Sequence, residues 1–209
     1  GLRCNPILLD NKLVQDAGYD LVGIVNASIQ KRYVRSVSKA ITQGNASKFT
    51  AISATSALTT ASATAIAYGE MVNLLTALDP AYAGNTVSSM NNSTLGYVLN
   101  ILDGNDRPIF LPFNDGATSG FTGTIFGYPV KIDPFMDGVA AGKKAIRFGD
   151  HAAAYTIREV APGIVLKQSG HRWIEQNRLG IVAFARAGGK PTIASTTYSP
   201  LVCLTQKAS

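Results

Sequence analysis

Charge is scarce in this chain. Asp, Glu, Lys and Arg make up 15% of its 209 residues, against about a quarter in an average soluble domain. Ala, Ser, Thr and Gly fill the gap. A surface so poor in charge suits packing against neighbours better than a solitary monomer, which charge keeps apart. Cysteine is nearly absent too. Cys4 and Cys203 stand near opposite ends, and neither belongs to a Cys-x-x-Cys pair or a Cys/His cluster. Disulfide and metal frameworks therefore have no motif to support them, and no metal or cofactor is expected. No apolar run reaches the ~18 residues of a membrane span, so no membrane partner is expected. No secretory leader pattern stands at the start. The chain opens on Gly1 rather than Met, which suggests a processed chain or a fragment.

What is present is a large apolar share. Hydrophobic residues make up 46% of the chain, enough for one large domain or two small interleaved ones. Lys and Arg exceed Asp and Glu by 19 to 13, a net charge of +6. The basic residues are scattered, apart from Lys31, Arg32, Arg35 and Lys39 and the pair Lys143 and Lys144. A sequence-reading nucleic-acid binder concentrates them and interleaves aromatics. At most a non-specific relation to a polyanion is expected.

Asp10 to Thr42 reads as one long helix. Val22, Val25, Ile29, Tyr33, Val37 and Ile41 recur at spacings of three and four, and Gly44 with Asn45 ends it. Its single stripe means that it lies across a surface. Ser47 to Ser62 reads as a connector. A second helix, Ala63 to Leu78, stops at Asp79-Pro80. A strand, Thr86 to Met90, leads through Asn91 and Asn92 into a third helix, Ser93 to Leu102, closed by Gly104. Arg107 to Gly123 reads as a loop, followed by strands at 124–126 and 130–132. After a loop at Asp133 to Gly142 strands dominate: 144–148, 153–159, 164–168, 172–186 and 192–204. Ala161-Pro162-Gly163 and Gly188-Gly189 read as turns. Helices first and strands last make an α+β pattern. No internal repeat is visible.

The chemistry-bearing residues converge on nothing. His151 and His171 have no Gly-x-Ser-x-Gly or other triad motif beside them. Gly138 to Gly142, followed by Lys143, has three residues between its glycines where a phosphate loop needs four, and Lys144 stands where Ser or Thr should. Asp133 with Asp137, and Asp103 with Asp106, are carboxylate pairs that never continue into a calcium loop, and they read as solvated turn residues. Arg172-Trp173, with the only tryptophan, reads either as an interface anchor or as a strand residue packed on a helix. No catalytic, cofactor-binding or metal site is assigned, and an enzyme is not expected.

Five segments, taken in order, carry a resemblance: Leu9-Asp10 through Gly44; Val87 to Asn92 with Asp103 to Phe110; Ile125-Phe126-Gly127-Tyr128-Pro129-Val130; Ile146-Arg147-Phe148-Gly149-Asp150-His151; and Asn177-Arg178-Leu179 through Arg186. Together they resemble the major capsid proteins of tailed phages, with the Hong Kong 97-like fold. The resemblance begins at the family's long spine helix; the N-terminal arm and extended loop that precede it have no counterpart here.

That resemblance implies an α+β fold with a peripheral and an axial subdomain. The segments would be 1–60 (spine helix and start of the peripheral part), 61–150 (axial), 151–186 (long peripheral strands) and 187–209 (return strand to the axial part). It implies a structural protein that self-assembles in pentamers and hexamers into the icosahedral shell around phage or prophage DNA. Portal and scaffold or protease would be partners during assembly in the host cytoplasm, with the virion capsid as final location. An encapsulin-like nanocompartment shell is the alternative. Loops at Leu111 to Gly123 and Asp133 to Gly142 would form axial tips. Some family members cross-link a loop lysine to an asparagine with a glutamate's help. The matching positions here, near Ser169 and Gln176, lack that chemistry although Glu175 is adjacent, so no cross-linking is expected.

Overall fold

A computed structural model describes residues 2–16, 18, 20–45, 48–52, 56–102, 104, 105, 107, 108, 110–112, 123–192 and 199–208. The chain divides into two compact units, 1–50 with 157–189 and 51–156 with 190–209.

The first unit is a long helix on a sheet. The segment expected as one helix is two: α1, Asn11–Asp16, and α2, Leu21–Gln43. Asp20 explains the restart. Its Oδ1 accepts the Gly23 N–H at 2.9 Å, capping α2, and such a cap competes with helix continuation. A β-carbon on Gly23 would stand 2.3 Å from Asp20 Oδ2, so the glycine that weakens helix propensity is what admits the cap. Gly44, at φ 81°, ends α2 by donating its N–H to the Ala40 carbonyl.

The sheet is built on β10, Arg178–Pro191. β1, Leu2–Arg3, and β2, Ile7–Asp10, run antiparallel to it, with Leu2 opposite Ala185 and Ile7 opposite Ile181. β9, Tyr155–Ser169, pairs with β10 as well. Ile29 of α2 packs with Ile181 and Ala183, flanked by Val22, Val25, Ile164 and Leu166. The 3.6-residue apolar stripe thus meets the period-two inner face of the strands.

Strand continuity differs from expectation. Residues 161–163 and 188–189, expected as turns, lie inside β9 and β10. Gly163, at φ 85°, lies within β9. Conversely, the strand expected from Arg172 begins as a 3-10 turn, His171–Gln176. Asn177, left-handed at φ 50° and ψ 45°, caps that turn, and β10 begins at Arg178. Trp173 is therefore on a turn and not on a strand.

The second unit is a seven-stranded sheet, in the order β3-β11-β8-β4-β7-β6-β5. These are β3 (Ser56–Thr59), β11 (Leu201–Thr205), β8 (Lys144–Gly149), β4 (Val87–Met90), β7 (Tyr128–Ile132), β6 (Gly123–Ile125) and β5 (Phe110–Pro112). β3 with β11 and β4 with β7 are parallel pairs, and the other neighbours are antiparallel. The connector expected at 47–62 hides β3, and the loop expected at 107–123 hides β5. Both strands sit at the sheet's ends, where little apolar patterning is needed.

Helices α3 (Tyr68–Thr76) and α4 (Asn92–Leu99) are shorter than expected. Glu70 reaches back to accept the N–H groups of Ala61 and Ala67 at 2.6 and 2.8 Å, which sets the start of α3. Asn91 caps α4 by accepting from Ser93 N. Met71, Leu74, Leu95 and Val98 pack onto Met90, Val130, Ile146, Val202 and Leu204. A further turn of helix, α5 (His151–Ala154), takes the first two residues of the strand expected over 153–159, and β9 carries the rest. Asp150 caps α5, accepting from Ala152 N and Ala153 N. The final strand begins only at Leu201; residues 193–198 of the expected strand lie outside the described residues.

Candidate functional site

The second unit holds a buried polar chain. β8 is central in its sheet, and its Arg147 is 5% exposed. Arg147 Nη2 bonds Asp133 Oδ2 at 2.6 Å, and its Nε donates to Met136 Sδ at 3.3 Å. Asp133 was expected as a solvated turn carboxylate, and the structure corrects that. It is the counter-ion of a buried guanidinium, as a charge out of water requires. Asp137 fits the expectation better: its contact with Lys143 is 3.8 Å long and half exposed.

His151 is part of the same region. Its Nε2 lies 3.0 Å from Ser89 Oγ on β4, and its Nδ1 lies 3.2 Å from the Gly149 carbonyl. A carbonyl only accepts, so the proton sits on Nδ1 and Nε2 accepts the Ser89 hydroxyl. Burial, then the Arg147 charge, lowers the His151 pKa to about 4. This is the geometry of a Ser/His pair without the base strength: a base of that pKa draws little on a hydroxyl at neutral pH. Ser89 is itself 6% exposed. The pair ties β4 to the end of β8. Sequence reading missed it because 62 residues separate the partners.

Other candidates separate. His171 is exposed at the start of the 3-10 turn. In the glycine loop the Gly142 N–H already points at the Gln206 and Lys207 carbonyls and Lys143 N–H at Ala140, so no amide cradle faces outward. Asp103 and Asp106 lie outside the described residues, as do residues 113–122 of the expected loop tip. Cys4 and Cys203 are free thiols, Cys203 buried in β11. Among the described residues no group of three or more His, Cys, Asp or Glu could hold a metal, and no helix is long and apolar enough to cross a membrane.

Large apolar side chains are exposed instead. In the first unit Ile157, Val160 and Val165 of β9 lie open, as do Ile24 and Val34 of α2, and Ile174 is 71% exposed. In the second unit Tyr97 and Leu99, on opposite flanks of α4, and Leu102 beyond it are about half exposed.

The phage capsid family model matches residues 4–196. The chain belongs to the phage capsid family. It is a structural capsid protein with an α+β capsid fold, a component of the virion capsid. Solved structures share the fold. The chain is similar to the capsid of a native GTA particle, at 22% identity and TM-score 0.81, covering 99% of this chain and 72% of that one. A chain from Microbacterium phage Oxtober96 matches at 14% identity and TM-score 0.67, over 98% and 71%. The holo-SrpI encapsulin complex from Synechococcus elongatus PCC 7942 matches at 10% and 0.63, over 97% and 72%. No curated protein matches the chain.

Ser169 ends β9 and Gln176 ends the 3-10 turn, both exposed, with Gln176 Oε1 accepting from Arg178 Nη1 at 3.3 Å. Glu175 beside it is also exposed.

Proposed function

We propose that this chain is the shell-building body of a major capsid protein, which assembles in pentamers and hexamers into the icosahedral shell around phage or prophage DNA. The observation that carries the reading is the family match over 4–196. The exposed apolar side chains on both units support it, because copies packing together would cover them. The two units correspond in this reading to a peripheral part with the long helix and an axial part with the seven-stranded sheet. The chain forms no lysine–asparagine cross-link, since Ser169 stands where the acceptor asparagine would be and Gln176 where the assisting glutamate would be. It meets portal and scaffold or protease during assembly in the host cytoplasm, and packaged DNA without sequence preference.

Negative-stain microscopy of the purified full-length protein tests this. Closed shells are the expected result, and a persistent monomer would overturn it. The encapsulin likeness favours a second reading, a compartment around cargo protein. Its TM-score of 0.63 is close to the 0.67 of the Microbacterium phage chain, so the contents of the particle decide between the two readings. Nuclease-protected DNA inside the particles supports the phage reading, and a protein filling without nucleic acid supports the other.

A further inference from the structure

The two units divide the charge unequally. Positions 1–50 and 157–189 carry twelve Lys and Arg against five Asp and Glu, a net +7; the second unit carries seven against eight, a net −1. The excess is concentrated on α2, which over 23 residues contains four cations and no carboxylate. At 3.6 residues per turn, Lys31, Arg32, Arg35 and Lys39 fall within an arc of about 100°. All four are exposed. Ile29, which packs onto the sheet, lies about 160° around the helix from Lys31 and about 120° from Arg35, so these two face outward, while Arg32 stands at the edge of the arc beside Ile29 and Tyr33. Among the described residues none of Lys31, Arg32 and Lys39 is in an ion pair. The ion pairs Lys143–Asp137 and Arg147–Asp133 belong to the second unit.

We infer that the outward face of α2 is the subunit's contact with the phosphate backbone of packaged nucleic acid; the inference rests on the shell reading above and names the surface that meets the contents. Lys31 to Lys39 spans about 12 Å of helix axis. The same length of duplex carries three or four phosphates on each strand, a match in spacing to four cations. The one aromatic in α2, Tyr33, lies off this arc with its hydroxyl donated to Glu159, so nothing on the arc stacks on bases. Binding is therefore a counter-ion effect without sequence readout. A second copy of the chain is a poor alternative occupant, because its other unit is nearly neutral.

The test measures full-length protein binding to two unrelated 30-base-pair duplexes across a salt series. The triple variant Lys31→Gln, Arg32→Gln, Lys39→Gln keeps good helix formers at each position. It is expected to make the log–log salt slope shallower by about 3, equally for both duplexes. The control Lys131→Gln, Lys143→Gln, Lys207→Gln removes as many cations from the second unit and is expected to leave the slope unchanged. An unchanged slope in the α2 variant, or an equal change in the control, overturns the inference. A variant that binds DNA normally but no longer assembles makes the arc a subunit contact and overturns it too. The unaltered protein supplies a second measurement: saturating duplex is expected to slow acetylation of Lys31 and Lys39 but not of Lys143, and equal rates with and without DNA count against it. Microscopy of the same wild-type preparation keeps the two readings apart. Absent shells count against the capsid reading, while intact shells with an unchanged slope sink only the inference.

Discussion

Trp173 lies against Gly180 so closely that a β-carbon on Gly180 would stand 2.0 Å from the indole Cζ3. The 3-10 turn carrying the tryptophan thus closes back on the first residues of β10. The contact requires glycine because the obstacle is a ring and not the end of a flexible chain.

Gly180→Ala is expected to destabilise the first unit by about 2 kcal/mol, the range of overpacking. In a Trp173→Ala background the same change should cost far less, because the obstacle has gone. Chemical denaturation of the four proteins in the cycle measures this. Equal costs in both backgrounds would show that the ring is not the constraint.

Gly149 is held more tightly still. It sits at φ 141°, and a β-carbon there would stand 2.1 Å from the Pro200 carbonyl oxygen and 2.9 Å from Leu201 Cα. Both obstacles are backbone, of Pro200 just before β11 and of its first residue Leu201, so neither can rotate away. Gly149→Ala is expected to cost more than about 3 kcal/mol, from strain at positive φ together with separation of β8 from β11. The thermal unfolding midpoint of the purified variant, or its failure to accumulate as soluble protein, reads this out.

The Arg147–Asp133 pair gives a third expectation. Arg147→Leu leaves Asp133 facing an apolar side chain where a guanidinium stood 2.6 Å away. Removing one partner of a buried pair costs about 3 kcal/mol or more. Arg147→Leu combined with Asp133→Leu should recover a good part of it, since no buried charge is then left alone. Urea unfolding of the single and double variants checks this, and a double variant less stable than the single one would refute it.

Much of the fold was legible in residue order. The spacing from Val22 to Ile41 places α2, and Asn91 marks the start of α4 as a cap. The α+β class follows from helices preceding strands. Three features were not legible because their causes are distant in sequence. Ala161-Pro162-Gly163 has turn chemistry, yet it lies inside β9, which pairs with the distant β10. Asp133 resembles any turn carboxylate until Arg147, 14 residues on, is brought beside it. Ser89 and His151 meet only because β4 pairs with β8. The Asp150-His151-Ala152-Ala153 run did hold a usable local signal, a capping residue before good helix formers, which marks the turn α5.

His151 should make the second unit acid-sensitive. Its ring is held neutral between the Ser89 hydroxyl and the Gly149 carbonyl, with its pKa at about 4 against 6.5 for an unconstrained imidazole. Burial is the main cause and the Arg147 charge adds to it. The Gly149 carbonyl, Asp150 and Asp133 oppose it without cancelling it. The unfolded chain therefore takes up a proton as pH falls below about 6.5, and the folded chain does so only near 4. Stability from this group is fully present above 6.5 and is lost progressively between 6.5 and 4, by up to roughly 3 kcal/mol. His151→Asn keeps an N–H for the Gly149 carbonyl but cannot be protonated in this range. It should flatten that part of the profile while leaving the carboxylate-driven loss at lower pH. Denaturant midpoints at half-unit steps from pH 7 to 4 for both proteins decide it. Parallel profiles would mean that His151 does not control the acid response.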